Sequence, residues 1–245
     1  MKILGIIPAR YESSRFPGKV LADIKGKSMV QRVYEQARKC AELDNVLVAT
    51  ENQQVIDHVA GFGGEAVLTS ASHTSGTDRC YEALQLQTGT YDYVVNIQGD
   101  EPFIDPRQIK EVAALLDGKV ELATLIKKIT HYDELFNPGE AKVVFNQRME
   151  ALYFSRQPIP YYHHAAEMNW LQYQDFYKHI GIYAYRTDVL ARISALPVSG
   201  LEKAESFEQL RWLENGLQIK LAFTELESIC IDTREDLERL LATMK

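Results

Sequence analysis

The segment GIIPARYESSRFPGKVL, residues 5–21, sets the frame for the whole chain. Its apolar run ends at Pro8. Arg10, Arg15 and Lys19 follow within a dozen positions, with Ser13, Ser14 and Gly18 between them. An apolar strand that empties into a cationic, glycine-containing loop is the strand–loop unit of an open α/β sheet, where ligands bind beyond the carboxyl ends of the strands. Backbone N–H groups around Gly18, helped by the cations, suit phosphate. The spacing is not that of the familiar phosphate loops. GxxxxGK[ST] fails because Leu21 stands where its first glycine belongs ahead of Gly26-Lys27-Ser28, and Gly61, Gly63 and Gly64 fall after a helix instead of forming a GxGxxG turn.

Outward from that loop, strand and helix patterns alternate. KILGII (2–7), NVLVAT (45–50), EAVLTS (65–70) and the start of YDYVVNIQGDEP (91–102) read as strands. MVQRVYEQARKCAEL (29–43), QQVIDHVAGFGG (53–64), DRCYEALQLQ (78–87) and PRQIKEVAALLDG (106–118) read as helices; the last has Pro106 in its first turn and Gly118 at its end. Such alternation predicts an α/β fold, with a mainly parallel sheet covered by helices on both faces. Beyond residue 120 the strands ELATLIKKI (121–129), AKVVFN (141–146) and EALYFSR (150–156) follow without such helices, the last two pairing across Gln147 and Arg148. HIGIYAYR (179–186), flanked by the aromatic stretch WLQYQDFY (170–177), is a further strand. A helix over SFEQLRWLEN, a strand over LQIKLAF and a helix over REDLERLLATM close the chain. The expectation is one domain over residues 1–245 carrying a smaller α+β insertion at about 130–200.

The formal charge of −7 excludes a nonspecific nucleic-acid binder, so the cations of the first loop are a local feature on an acidic protein. Cys40, Cys80 and Cys230 give neither a zinc spacing nor a disulfide framework, no HExxH occurs, and Ser155 lacks a GxSxG context. No apolar run has the length of a membrane span, and Pro8 interrupts the N-terminal run before it could act as a signal peptide. No membrane insertion and a cytoplasmic location are therefore expected.

Three further motifs carry chemistry. NIQGDEP (96–102) ends a buried strand in Gly99 and sets Asp100 at the sheet edge beside the first loop, where carboxylate oxygens next to a phosphate suit Mg²⁺. HTSGTDR (73–79) offers hydroxyls and backbone N–H groups; Thr77 is read here as a helix cap. In IDTRED (231–236), Asp232 with Glu235 three positions on resembles a capping box, and metal binding competes for the same Asp232 oxygens.

These motifs, with ALYFSRQPIP, HIGIYAYR, EQLRWLENG and IDTREDLER, resemble in the same order the landmarks of the 3-deoxy-manno-octulosonate (Kdo) cytidylyltransferases of bacterial lipopolysaccharide synthesis. The resemblance covers essentially the entire chain, and PARY-x-S-[ST]-R-x-PGK is its most specific part. It implies a nucleotide-diphospho-sugar transferase fold, Rossmann-like and mixed but mainly parallel, with a smaller insertion, assembled as a homodimer. It implies transfer of CMP from CTP to Kdo with Mg²⁺. On this resemblance Arg10, Lys19, Asp100 and Asp232 are catalytic, and Asp100 and Asp232 hold the metal in place of the capping role. Arg10, Ser13, Arg15, Lys19, Ser75, Gly76, Thr77, Arg79, Gln98 and Gly99 contact CTP. Gln98, Arg156, His179, Tyr183, Glu208 and Gln209 receive the acceptor, with Arg156, His179, Glu208 and Gln209 suited to its carboxylate and hydroxyls. Phe16 stands where Leu is common and Arg234 where Pro is common. The rival expectations are a different acid sugar, such as an 8-amino analogue or a sialic acid, and a nucleotide-binding regulator without chemistry.

Overall fold

In the computed structural model, residues 1–13 and 15–244 are described; Ser14 of the first loop lies outside them. Strand β1 (Ile3–Pro8) is buried on both faces, which is why it reads as an unbroken apolar run. It pairs in parallel with β2 (Asn45–Thr50), which pairs in turn with β3 (Ala66–Leu68). On its other side β1 pairs in parallel with β4 (Tyr93–Asn96). The loops after β1, β2 and β4 therefore leave the same edge of the sheet.

Past β4 the sheet becomes mixed. Strand β5 (Leu122–Lys128) is followed by the hairpin β6 (Lys142–Phe145) and β7 (Ala151–Ser155), which turns through residues 146–150 as expected. Strand β8 (Tyr177–Arg186) then enters antiparallel between β4 and β5, and β9 (Ile219–Phe223) closes the sheet in parallel with β5. The path is β9-β5-β8-β4-β1-β2-β3, with β6 joined to β8 and β7. The stretch 130–200 carries β6, β7 and β8, and β8 lies inside the sheet. Ile180, Ile182, Ala184 and Tyr185 are all buried, and that burial draws β8 into the middle of the fold.

Helices cover both faces. The α1 (Met29–Ala37), α2 (Gln53–Gly61) and α4 (Pro106–Ala113) helices pack on Ile3, Ile7, Tyr93 and Val95. Helix α3 (Gly76–Gln85) covers the opposite face over Leu4, Ile6 and Val94. Four short helices lie outside the expected elements: α5 (Tyr132–Phe136), α6 (Trp170–Tyr173), α7 (Thr187–Ser194) and α8 (Gly200–Glu205). Of these, α7 joins α3 and α9 (Glu208–Glu214) on their face. The aromatic stretch before β8 is held by its own small core of Ile129, Leu135, Trp170 and Phe176. The final helix, α10 (Arg234–Thr243), sets Leu237 and the preceding Ile231 against Phe16, Ile24 and Met29. That packing returns the C-terminal segment to the first loop. No helix among the described residues is long and apolar enough to cross a membrane.

Candidate active site

A cavity of about 330 Å³ opens at the carboxyl edge of β1 and β4, and it is lined by Arg10, Ser13, Arg15, Lys19, Gln98, Gly99, Asp100 and Asp232. Two glycines shape it. Gly18 adopts φ +70°, a left-handed conformation that favours glycine, and its N–H donates to the Tyr11 carbonyl at 2.9 Å, closing the loop just before Lys19. Gly99 packs so tightly under the end of β1 that a Cβ there would lie 2.6 Å from the Pro8 carbonyl oxygen. That close approach delivers Asp100 to the first loop.

Lys19 Nζ lies 2.8 Å from Asp100 Oδ2 and 3.3 Å from Asp232 Oδ1, while Arg15 Nη1 reaches Asp232 Oδ2 at 3.1 Å. Burial works against the charge on Lys19. The charge and hydrogen bond of Asp100, with Asp232 behind it, outweigh that penalty and hold the pKa above the ordinary lysine value. The ammonium is therefore a fixed cation at neutral pH. Asp232 reaches this place because the Ile231 N–H donates to the Asp100 carbonyl at 3.0 Å.

The capping box of α10 sits one residue later than the sequence suggested. Thr233 is the cap, its hydroxyl accepting from the Asp236 N–H, and the Asp236 carboxylate accepts from the Thr233 N–H. Asp232 is thereby released from capping and faces the cavity. Likewise Ser75, and not Thr77, caps α3 by accepting from the Asp78 N–H at 3.1 Å. Thr77 turns inward and donates to Glu208 Oε2 at 2.7 Å. Phe16 and Arg234, the two departures from the family pattern, meet each other: the guanidinium lies 5.3 Å over the phenyl ring.

The remaining expected residues divide into two groups. Gln98 donates to the carbonyl of Gly181, where β8 breaks register, and thereby ties β4 to the bulge. Tyr183 and Gln209 are buried, and Tyr183 lies beside Trp212 with its hydroxyl unpartnered, like the Asn96 Oδ1 nearby in the sheet. Burial pushes the Glu208 carboxyl up, and its hydrogen bond from Thr77 and the charge of Arg211 oppose that rise.

Arg156 and His179 are both engaged within the fold. Burial drives the His179 pKa down to about 3, and its Nε2 lies 2.9 Å from Thr124 Oγ1, so the ring is neutral. Arg156 stacks on Phe207 and spends donors on the carbonyls of Glu205 and Pro138. Arg79, expected near the cytidine, has a side chain only 3% exposed. Its guanidinium pairs with Glu51 at 3.0 Å and donates to Thr69 Oγ1 at 2.6 Å.

Three residues were missed from sequence. The Cys230 Sγ belongs to a cluster with Asp100 and Asp232 whose ligand atoms all lie within 4.8 Å of one another. Glu101 is buried beside Asp100 and its carboxyl is pushed up to about 7, mainly by burial. Glu51 grips the first loop from beneath. Only the position of Glu51, directly after a predicted strand, signalled that it lies at the same edge.

Fold and cavity define a nucleotidyltransferase of the α/β class, and residues 4–221 match the family model described as cytidylyltransferase. A 3-deoxy-manno-octulosonate cytidylyltransferase of Parabacteroides distasonis is 55% identical, covering 99% of this chain and 98% of that one. One from Cytophaga hutchinsonii is 53% identical with the same coverage. The solved structure of a CMP:2-keto-3-deoxy-manno-octonic acid synthetase complexed with CTP superposes with a TM-score of 0.91 at 43% identity, covering 99% of this chain and 98% of that one. The chain belongs to the 3-deoxy-manno-octulosonate cytidylyltransferase family.

Proposed function

We propose that this protein transfers CMP from CTP to the anomeric hydroxyl of Kdo, forming CMP-Kdo and releasing pyrophosphate. The observation that carries the reading is the meeting of Arg10, Arg15 and Lys19 with Asp100 and Asp232 in one cavity at the carboxyl edge. Nucleotidyl transfer is mostly positioning and charge stabilisation, so a cavity with fixed cations facing carboxylates is what the reaction needs. Arg10, Arg15 and Lys19 bind the triphosphate, and Lys19 holds a permanent positive charge where the leaving pyrophosphate gathers negative charge.

The donor set fits Mg²⁺. Asp100 and Asp232 converge hard carboxylate oxygens, and one cation, the Lys19 ammonium, already lies between them. Bound there, the ion supplies charge neutralisation on the phosphates and a lower pKa for the attacking hydroxyl. On the acceptor side the reading places Gln98, Arg156, His179, Tyr183, Glu208 and Gln209 near the sugar; the buried Tyr183 hydroxyl has no partner within the fold, and Thr77 donates to Glu208. The neutral His179 contributes a hydrogen bond and not a charge.

Pyrophosphate release with Mg²⁺ and CTP tests the reading, using Kdo, its 8-amino analogue, a sialic acid and no acceptor in parallel. Release with Kdo alone is expected; release with another acid alone transfers the assignment to that sugar. The proposal extends to a homodimer, for which the exposed Leu152 and Phe223 on the β7 and β9 strands provide apolar surface, and sedimentation at micromolar concentration measures it.

A further inference from the structure

Glu51 stands outside the cavity, yet it holds the loop that forms one wall of it. It follows β2 directly, and its side chain is only 10% exposed. One oxygen, Oε1, accepts the Tyr11 N–H at 2.8 Å and, more distantly, the Glu12 N–H at 3.4 Å. The other, Oε2, lies 3.0 Å from the guanidinium of Arg79 on α3. Tyr11 is therefore gripped twice: its N–H by Glu51, and its carbonyl by the N–H of Gly18. Arg10 immediately precedes that grip and Lys19 immediately follows it. A single carboxylate thus closes the neck of the loop and ties it to β2 and to the first turns of α3.

The charges explain why the strut must be an anion. Arg79 is buried and feels the like charge of Arg10. With Glu51 between the loop backbone and Arg79, the buried guanidinium is balanced and the loop N–H groups meet a charged acceptor, the stronger kind of hydrogen bond. A neutral residue there leaves Arg79 with only the weaker influence of Glu82 and the neck of the loop free to open.

We infer that Glu51 is a positioning residue for triphosphate binding, acting on Arg10 and Lys19 through the Tyr11 backbone; the inference rests on the reading of the 10–19 loop as the triphosphate site. A loop that must be ordered by its ligand spends binding energy on that ordering. The loss should therefore fall on CTP, whose phosphates engage the loop, far more than on CMP.

The test is calorimetric binding of CTP and of CMP to the wild-type protein, Glu51→Gln and Glu51→Asp, with a thermal melt of each. Glu51→Gln is expected to weaken CTP about tenfold, the scale of one lost charge-assisted hydrogen bond, and CMP by less than about twofold. Glu51→Asp keeps the anion beside Arg79 while withdrawing the oxygen from Tyr11 by one methylene. It is expected to melt near the wild-type temperature and still lose CTP preference, and it decides the matter if Glu51→Gln does not fold. An unchanged CTP-to-CMP ratio in the folded variants, or an equal loss for both nucleotides, overturns the inference and leaves Glu51 a purely structural ion pair. A wild-type protein that does not itself prefer CTP to CMP refutes the triphosphate reading instead.

Discussion

Replacing Asp100 by Asn removes one charge and almost no volume. At 2.8 Å from Lys19 Nζ, the gross attraction at an effective dielectric of 20 is about 6 kcal/mol. Asp100 is 26% exposed and the Asp232 carboxylate remains beside the ammonium, so hydration and the second partner reduce the net loss to about 1–2 kcal/mol. For a chain of this length that is a fall in Tm of about 2–8 °C. The backbone tie survives, because it is the Asp100 carbonyl that accepts the Ile231 N–H. Lys19 changes more. Burial already works against its charge and Asp100 is the main force opposing burial, so its pKa must fall from the wild-type value. Turnover is expected to drop at least about 10³-fold, the upper range for deleting one preorganised electrostatic group. The assay is pyrophosphate release at saturating CTP and Kdo, paired with a melt and with NMR titration of ¹³Cε-labelled lysine. Near-normal turnover in a folded Asp100→Asn protein refutes the placement of chemistry between Lys19 and the two carboxylates. An unmoved Lys19 titration refutes the electrostatic account of that pair.

Three further predictions follow from the same geometry. Lys19→Ala should lower kcat while leaving the KM for CTP within a few-fold, because a cation aimed at developing charge acts in the transition state; a pure KM effect points to uniform binding instead. Gly99→Ala should cost both stability and activity, since its Cβ would meet the Pro8 carbonyl at 2.6 Å; a protein with wild-type Tm and rate shows that the β1 edge yields. His179, neutral in the fold with a pKa of about 3 against about 6.5 unfolded, contributes stability above pH 6.5 that is lost as pH falls toward 3. Thermal melts between pH 7 and pH 4 should therefore fall less steeply for His179→Gln than for the wild type, and parallel curves would show that the ring does not titrate with folding.

The phosphate side of the site was legible because its residues are close in sequence to strand ends. Pro8 marks the end of β1 and Gly99 follows the end of β4, so Arg10, Lys19 and Asp100 could be set on one edge from the order of elements alone. Asp232 was harder. A capping box was visible around it, but capping oxygens and metal oxygens are the same atoms, and only the backbone places the cap at Thr233. Thr77 failed for the same reason: a serine and a threonine two positions apart compete for the cap, and Ser75 wins. Arg79 and Glu51 were illegible as a pair because 28 residues separate them, and nothing in either segment shows that a buried guanidinium needs that particular carboxylate.

The placement of the expected acceptor residues in the fold has a topological origin. In a run of parallel strands, the carboxyl end of each strand faces the ligand, and the eye looks for chemistry after the strand. Strand β8 runs the other way, with Tyr183 opposite Asn96 and Arg186 opposite Tyr93. Its beginning, at residues 177–183, therefore lies at the carboxyl edge of β4. His179 and Tyr183 stand inside a strand and not on a loop. Tyr183 is buried and keeps an unpartnered hydroxyl, while the half-buried His179 has its pKa lowered by desolvation of the ring. The same inversion sets the bulge at Gly181 where Gln98 can hold its carbonyl. The cavity edge at β1 and β4 and the start of β8 are thus joined through the β4–β8 pairing. A substitution that shifts that register by one residue would turn Tyr183 to the opposite face of the sheet while leaving Arg10, Lys19 and Asp100 in place.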